Sequence, residues 1–167
     1  MERFRRETGF TLLELLVVIA LLGFIAVIAV PAFNSLVSNN RVVAASNQLI
    51  GFLGAARADA VQQSQVVRIR PRDGGDDWGS GMVAWIDVNG DGAMQASEII
   101  RQTQGAAHTL EVDGVDVDDV PVGFRPNGLS RSAGDIVFTI CSDQTQVGRR
   151  VTLHVGGRVS AVDHVCS

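Results

Sequence analysis

One apolar block near the N-terminus constrains this chain more than any other feature. It runs from Phe10 to Val30 and contains a single charged residue, Glu14. As an α-helix rising about 1.5 Å per residue, a block of this length crosses the roughly 30 Å hydrocarbon core of a bilayer. Three arginines lie within residues 1–9, and the next basic residue is Arg41. The positive-inside rule therefore predicts a cytoplasmic N-terminus and an extracytoplasmic remainder.

Two simpler interpretations of the block fit less well. A secretory signal peptide has an apolar stretch of about 7–15 residues followed by a small-residue cleavage site. Here the block is longer and is followed by Pro31 without such a site. A plain membrane anchor leaves Glu14 unexplained, because an ionised carboxylate in lipid costs several kcal/mol. The sequence therefore predicts a specific cationic partner for Glu14.

The residues around Glu14 carry a resemblance to a known signal. The run Gly9-Phe10-Thr11-Leu12-Leu13-Glu14-Leu15 resembles the class III signal of type IV pilins and type II secretion pseudopilins. The resemblance implies that prepilin peptidase cleaves after Gly9 and that Phe10 is then N-methylated. It also implies that Glu14 pairs with the Phe10 amine of a neighbouring subunit, which would supply the cation that a buried carboxylate needs.

Helical periodicity continues beyond the apolar block. Apolar residues recur at a spacing of three to four as far as about Gln62. We expect one long helix over 10–62, membrane-spanning over 10–30 and amphipathic over 31–62. Gly23 and Pro31 are its expected weak points.

The C-terminal part has a different pattern, of short apolar segments separated by Gly, Asp, Asn and Pro. The predicted strands are Val66–Arg70, Met82–Asp87, Ile99–Gln102, Thr109–Val112, Val122–Arg125, Ile136–Cys141, Val151–Val155 and Val159–Val165. The sequence therefore predicts an α+β fold, in which the long helix packs on an antiparallel β head over 63–167.

Short motifs in the head resemble those of the GspH/FimT family of minor pilins and pseudopilins. They are Arg57-Ala58-Asp59-Ala60-Val61, Trp78-Gly79-Ser80-Gly81-Met82-Val83, Ile86–Gly92, Phe124–Gly128 and Gly157-Arg158-Val159. The resemblance implies a non-catalytic subunit of a type II secretion pseudopilus or a type IV pilus. It further implies a place in the tip or initiation complex, with other pilins or pseudopilins and the inner-membrane assembly platform as partners.

An acidic loop in the head has the spacing of a calcium-binding site. It matches D-x-[DN]-x-[DN]-G-x5-E, with candidate ligands Asp87, Asn89, Asp91, the Ala93 carbonyl and Glu98. The flanking segments are predicted strands rather than the helices of an EF-hand. A polar hairpin turn explains the Asn-Gly and Asp-Gly pairs equally well. No other cofactor is expected.

The two cysteines, Cys141 and Cys166, both fall on the extracytoplasmic side. That compartment favours disulfides, so the sequence predicts a bond between them. Two free buried thiols, or a zinc site that also uses His164, are the alternatives.

Four arginines towards the C-terminus raise DNA binding as an alternative function. They are Arg131, Arg149, Arg150 and Arg158. Some members of the family bind DNA through a G-R-x-R motif, but here Ser160 replaces the second arginine. The net charge of -4 also disfavours a polyanionic ligand.

A membrane-anchored periplasmic enzyme is the third hypothesis, and the sequence gives it little support. The nucleophile-elbow, zincin and phosphate-loop motifs are missing, and His108, His154 and His164 are isolated in the sequence. The acidic residues Glu111, Asp113, Asp116, Asp118 and Asp119 are interpreted as a solvated loop or a face for a basic partner. We expect no catalysis.

Overall fold

The computed structural model describes residues 11–75, 77–105, 109–113, 122–142 and 146–166. The first element is a single helix, α1, over Leu12–Gln63. It begins after Thr11, whose hydroxyl oxygen accepts a hydrogen bond from the Glu14 N–H at 3.2 Å. This bond satisfies one of the amides that the first helical turn leaves without a partner. The helix continues through Gly23 and Pro31 and ends at Gln63, and the next residue, Ser64, adopts a φ of 52°.

The chain divides into two compact units, Met1–Val37 and Ser38–Ser167. In the first unit, every described residue from 11 to 34 is exposed. The most apolar 18-residue window has a mean hydropathy of 3.0, and none of it is buried within the protein. By length and composition, this part of α1 can cross a membrane, although a signal sequence would meet the same criterion.

In the second unit, α1 presents a buried stripe of mostly small and apolar residues. Successive members are one, three or four positions apart, as expected when one face of a helix meets a core. The stripe consists of Ser38, Val42, Ser46, Leu49, Phe52, Leu53, Ala56, Asp59 and Ala60.

Within the described residues, eight strands form two four-stranded antiparallel sheets. The strands are β1 (Val67–Pro71), β2 (Met82–Trp85), β3 (Ile99–Gln102), β4 (Thr109–Asp113), β5 (Val122–Phe124), β6 (Ile136–Cys141), β7 (Val147–Leu153) and β8 (Val159–Val165). The strand orders are β3-β2-β1-β5 and β4-β6-β7-β8. The predicted α+β architecture is confirmed.

One strand differs clearly from its predicted bounds. β7 begins at Val147, four residues before the predicted start, and Gly148, Arg149 and Arg150 are fully paired with β6. The charges of Arg149 and Arg150 made this segment look unlike a strand in the sequence. It is nevertheless part of β7, because the strand lies between two others and is held by backbone hydrogen bonds along its whole length. At its other end, Val155 lies in the turn to β8 rather than in the strand.

A single core joins the helix to both sheets. Leu49 and Leu53 of α1, Ile69 of β1 and Phe138 of β6 are all within it. Trp78 enters it from a 3-10 turn and meets the Phe138 ring edge-to-face, with the ring centroids 5.5 Å apart. This geometry is the favoured one for aromatic pairs and contributes beyond simple burial.

Candidate functional site

The N-terminal helix is the first functional feature, and Glu14 lies in its first turn. A carboxylate there is stabilised by the positive end of the helix dipole. Its side chain is exposed in the monomer and is therefore available to a cation from outside the chain. The predicted processing residues Gly9 and Phe10 lie outside the described residues, so their roles stay predictions.

Around Glu14, the helix presents a continuous apolar surface. Soluble monomers rarely expose apolar patches larger than a few hundred Å². Here large apolar side chains are mostly more than half exposed on all sides of the helix, so the described residues leave this apolar surface uncovered. They include Leu12, Leu13, Leu15, Leu16, Ile19, Leu21, Leu22, Phe24, Ile25, Val27, Ile28, Val30 and Phe33.

In the head, three of the sequence motifs meet at Arg57. The Arg57 Nε donates a hydrogen bond to the Gly128 carbonyl oxygen at 2.9 Å, and Nη2 donates to the Gly156 carbonyl oxygen at 3.4 Å. Gly157 has a φ of 77°, and a Cβ there would overlap the Gly128 carbonyl oxygen. The end of α1 is thereby fixed to the turn after β5 and to the turn between β7 and β8.

Two residues further along α1, the buried Asp59 forms a two-pronged ion pair with Arg101 of β3. Arg101 Nε and Nη2 both donate to the carboxylate, the second at 3.0 Å. This hydrogen bonding and the charge of Asp59 raise the pKa of Arg101. The pair ties α1 to the edge of the first sheet.

In the acidic loop, the carboxylates accept hydrogen bonds from the loop's own backbone N–H groups. Asp87 accepts hydrogen bonds from the Gly90 and Gly92 N–H groups at 2.8 and 3.1 Å. Glu98 is buried and accepts from the Val88 and Gln95 N–H groups at 3.0 and 3.2 Å.

The remaining members of the proposed calcium set behave in the same way. Asp91 accepts from the Ala93 N–H, and the Asn89 side-chain oxygen accepts from the Asp91 N–H. Across the described ranges, no group of three His, Cys, Asp or Glu side chains is placed to hold a metal. These bonds are those expected of the hairpin-turn alternative, and calcium binding stays a prediction.

The structure contains the Cys141–Cys166 disulfide, with the two Cα atoms 6.0 Å apart. It joins β6 to the residue after β8 and crosses Gly148 of the intervening β7. A Cβ at Gly148 would overlap the Cys166 sulfur and would lie 2.7 Å from the Ile140 carbonyl oxygen. The zinc alternative with His164 is wrong, because oxidised cysteines have no thiolate to offer a metal.

The structure does not gather the arginines proposed for DNA binding. Arg149 and Arg150 are neighbours in β7, so their side chains leave opposite faces of the sheet. Arg149 is paired with Asp163 at 3.3 Å and donates to the Ser46 hydroxyl. Arg158 lies in the turn beyond the strand. Arg131 belongs to a different group, described next.

Arg131 lies with Arg68 and Arg125 around an open groove that sequence reasoning missed. Val66, Pro126 and Asn127 complete its lining. The three arginines come from β1, from the residue after β5 and from the loop before β6. Because the chain brings them together only on folding, spacing in the sequence gave no signal.

His154 is not isolated in space, although the sequence suggested that it was. Its Nδ1 lies 2.7 Å from an Asp135 carboxylate oxygen and its Nε2 lies 2.9 Å from the Ser160 hydroxyl. The other Asp135 oxygen accepts from the Val155 N–H at 2.9 Å. Asp135 and His154 are partly exposed to solvent, and we interpret the chain of bonds as a brace for the β7–β8 turn. His108 lies outside the described residues, as do Asp116, Asp118 and Asp119.

Comparison with known proteins identifies the family. Residues 45–157 match the family model described as type II transport protein GspH, which is more than half of the chain. The chain belongs to the GspH family. Residues 4–30 of this GspH-family chain match the prokaryotic N-terminal methylation motif.

Individual relatives of the GspH-family chain are pilins. Two Pseudomonas aeruginosa proteins, each described as a fimbrial protein, are 26% identical to it over 95 residues. The match covers 56% of this chain and 62% of each relative, so the chain spans less than two thirds of their length.

The fold is also that of a solved minor pilin. Two crystal structures of the type IV minor pilin FimU from Pseudomonas aeruginosa superpose with TM-scores of 0.55 and 0.58. Sequence identity is 22% and 24%, and the matches cover 71% and 74% of this chain and 90% and 89% of FimU. The chain thus combines a GspH-family sequence with the fold of a type IV pilin-like protein.

Proposed function

We propose that this GspH-family chain is a minor pilin of a type IV pilus-like filament. The observation that carries the proposal is the exposed apolar stretch of α1 over residues 11–34, with Glu14 in its first turn, which lies largely within the methylation motif. Such a helix is soluble in lipid and equally suited to a core of parallel apolar helices. The subunit is stored in the inner membrane, with residues 1–9 cytoplasmic and the head periplasmic, and then moves into the filament.

Glu14 sets the axial position of the subunit during that transfer. Prepilin peptidase cleaves after Gly9 and leaves a methylated amine at Phe10. The Glu14 carboxylate of one subunit then pairs with that amine on its neighbour. A carboxylate among apolar helices is costly unless it is paired, so only registers that bring the two charges together are stable.

The head selects the partners of the subunit. We place the protein in the tip or initiation complex, where few copies of each minor subunit meet other pilins and the inner-membrane assembly platform. The support is the resemblance of the head to minor pilins, including the FimU fold. The described head gives no separate support to a role in DNA binding, because Arg149 and Arg150 point apart.

A substitution at Glu14 tests the mechanism. We expect Glu14→Ala to enter the membrane normally and to be processed, but to be missing from sheared filaments. Thr11→Ala is the matched control, because it removes the hydrogen bond to the Glu14 N–H and keeps the carboxylate. The readouts are immunoblots of membrane and filament fractions, with mass spectrometry of the N-terminus. Normal filament incorporation of Glu14→Ala would refute the mechanism.

A clean deletion distinguishes the pilus from a secretion pseudopilus. The similarity to FimU and to fimbrial proteins favours the pilus, so we expect loss of twitching with exoenzyme release unchanged. Loss of exoenzyme release alone would assign the chain to a type II secretion pseudopilus. DNA uptake is measured in the same strain, with a pilin known to be required for twitching as the comparison.

A further inference from the structure

The groove lined by Arg68, Arg125 and Arg131 concentrates positive charge on an acidic chain. The three guanidinium groups face one opening, while the whole chain carries a net charge of -4. Within the described ranges, one carboxylate pairs with them. It is that of Asp87, whose Oδ2 lies 3.0 Å from Arg68 Nη2. Like charges held close together repel each other unless an anion offsets them. The groove therefore carries an excess of positive charge that an anion would relieve.

Polar atoms of these arginines also lack hydrogen-bond partners. Arg68 Nε and Arg131 Nη1 are buried, and within the described ranges neither donates a hydrogen bond. A buried donor without an acceptor typically costs about 1–3 kcal/mol, and more when it is charged. Burial and the charges of Arg68 and Arg125 lower the pKa of Arg131. These arginines therefore have two unused buried donors, and the groove that they line carries unbalanced positive charge.

The groove is held in shape before any ligand arrives. The Arg68 guanidinium lies over the Trp85 ring, with its central carbon 5.0 Å from the centroid, and is also paired with Asp87. Arg125 and Arg131 flank a turn closed by a bond from the Arg125 N–H to the Leu129 carbonyl oxygen at 2.8 Å. Little conformational freedom is lost when an anion binds such a site, which favours affinity.

We propose that this groove binds an acidic side-chain cluster on the head of a neighbouring pilin-like subunit. Guanidinium groups match carboxylates in geometry and form two parallel hydrogen bonds with each. Val66 and Pro126 add an apolar border, so the complementary segment carries two carboxylates next to an apolar residue. The proposal rests on the proposed function, since it names the chemistry by which the head meets its partner.

A duplex polyanion fits the groove less well than a compact carboxylate group. DNA affinity comes from basic residues that neutralise several phosphates along a surface. Here three arginines line one opening, and three other arginines of the head already have partners. Arg57 is bound to carbonyl oxygens, Arg101 to Asp59 and Arg149 to Asp163.

A binding experiment on the full chain in neutral detergent tests the chemistry. Citrate is the probe, and sodium chloride at equal ionic strength corrects for general salt effects. We expect citrate to raise the Tm of the wild-type protein and of Arg72→Gln, but not of Arg125→Gln. Arg72 and Arg125 are both exposed, so the two variants lose the same charge from different places. An equal citrate effect in all three proteins would overturn the proposal.

A competing duplex separates the two anion classes. If a short random-sequence DNA duplex raises the Tm more than citrate does, and Arg125→Gln abolishes that effect, the groove is a nucleic-acid site and the proposal fails. If only citrate acts through Arg125, the carboxylate assignment is supported.

Filament assembly tests the partner. We expect Arg125→Gln to reduce incorporation into filaments by at least about tenfold, because truncating one partner of a charge pair buried at an interface weakens binding by more than that. Arg125→Gln/Arg131→Gln should reduce it further, and Arg72→Gln should not change it. Unchanged membrane level, disulfide content and Tm show that each variant is folded.

The outcomes also separate this proposal from the proposed function. If Glu14→Ala is missing from filaments while both groove variants incorporate normally, the groove proposal fails and the minor-pilin function stands. If Glu14→Ala itself incorporates normally, the proposed assembly mechanism fails, whatever the groove variants do.

Discussion

At the scale of single residues, Arg57 holds together parts of the chain that are far apart in sequence. Its two hydrogen bonds reach Gly128 and Gly156, which are 71 and 99 residues away. Both acceptors are backbone carbonyl oxygens of turns. The guanidinium fork serves two carbonyls at once, which a lysine ammonium cannot do with the same geometry.

We expect Arg57→Ala to lower the free energy of unfolding by about 1–3 kcal/mol, because two carbonyl oxygens lose a charged donor. The measurement is urea unfolding of the full chain in neutral detergent, followed by tryptophan fluorescence. Arg41→Ala, on the exposed side of the same helix, should change stability by a few tenths of a kcal/mol at most. Equal effects of the two substitutions would contradict the assignment.

Asp135 makes the free energy of unfolding depend on pH in the acidic range. The Val155 N–H and His154 hold the pKa of Asp135 below its ordinary value. A lowered carboxyl pKa contributes stability above the unfolded value and loses it as pH falls through the folded one. The stability difference between wild type and Asp135→Asn should therefore be constant near neutral pH and shrink below about pH 4. Thermal melts across that range give the result, and a difference that grows in acid would show the sign to be wrong.

At the scale of elements, the disulfide closes β6 to the end of β8 across a sequence separation of 25. In the chain-entropy model, a loop of that size contributes about 3 kcal/mol. We expect Cys141→Ser/Cys166→Ser to lose about that amount of unfolding free energy in urea titrations. Gly148→Ala should instead produce free thiols in the purified protein, because its Cβ overlaps the Cys166 sulfur. A fully oxidised, equally stable Gly148→Ala protein would contradict the crossing geometry.

The loop between β2 and β3 shows how one spacing supports two structures. Its carboxylates accept hydrogen bonds from backbone N–H groups of the loop, so the loop is held in shape without a bound cation. We therefore expect added Ca²⁺ to leave the Tm unchanged relative to Mg²⁺, and a chelator to have no effect. Asp87→Asn should still destabilise the head, because it weakens the pair with Arg68. A Tm increase specific to Ca²⁺ and lost in Asp87→Asn would restore the calcium interpretation.

At the scale of the whole molecule, the two compact units differ in how much apolar surface they expose. Residues 11–34 are exposed and apolar, whereas residues 38–63 of the same helix bury one face in the head. Two parts of one helix thus meet different surroundings.

A truncation follows from this division. We expect a chain beginning at Ser38 to remain in the aqueous phase of a detergent phase-separation assay, while the full chain enters the detergent phase. The truncated chain should keep its disulfide, because the Cys141–Cys166 bond lies wholly within the second unit. Aggregation of the truncated chain under oxidising conditions would mean that residues 1–37 are needed for the head to fold.

Several features could be predicted because their causes are local. The exposed helix follows from an unbroken apolar run, and the strands from short apolar segments between turn residues. Gly9, Phe10 and Glu14 form a motif that is continuous in the chain, so it was recognisable without a structure. The disulfide could be predicted because the chain has two cysteines and both were expected on the extracytoplasmic side.

Other features depend on contacts that no sequence spacing reports. The start of β7 is set by pairing with β6, and His154 finds Asp135 only after the strands align. Arg68, Arg125 and Arg131 come from three separate segments and share a groove only in the fold. The sequence alone thus determined the class of protein and its long apolar helix, because local apolar patterns and one continuous motif suffice for these. The tertiary structure alone decided which charges meet, because charge interactions depend on distances that the chain sets only by folding.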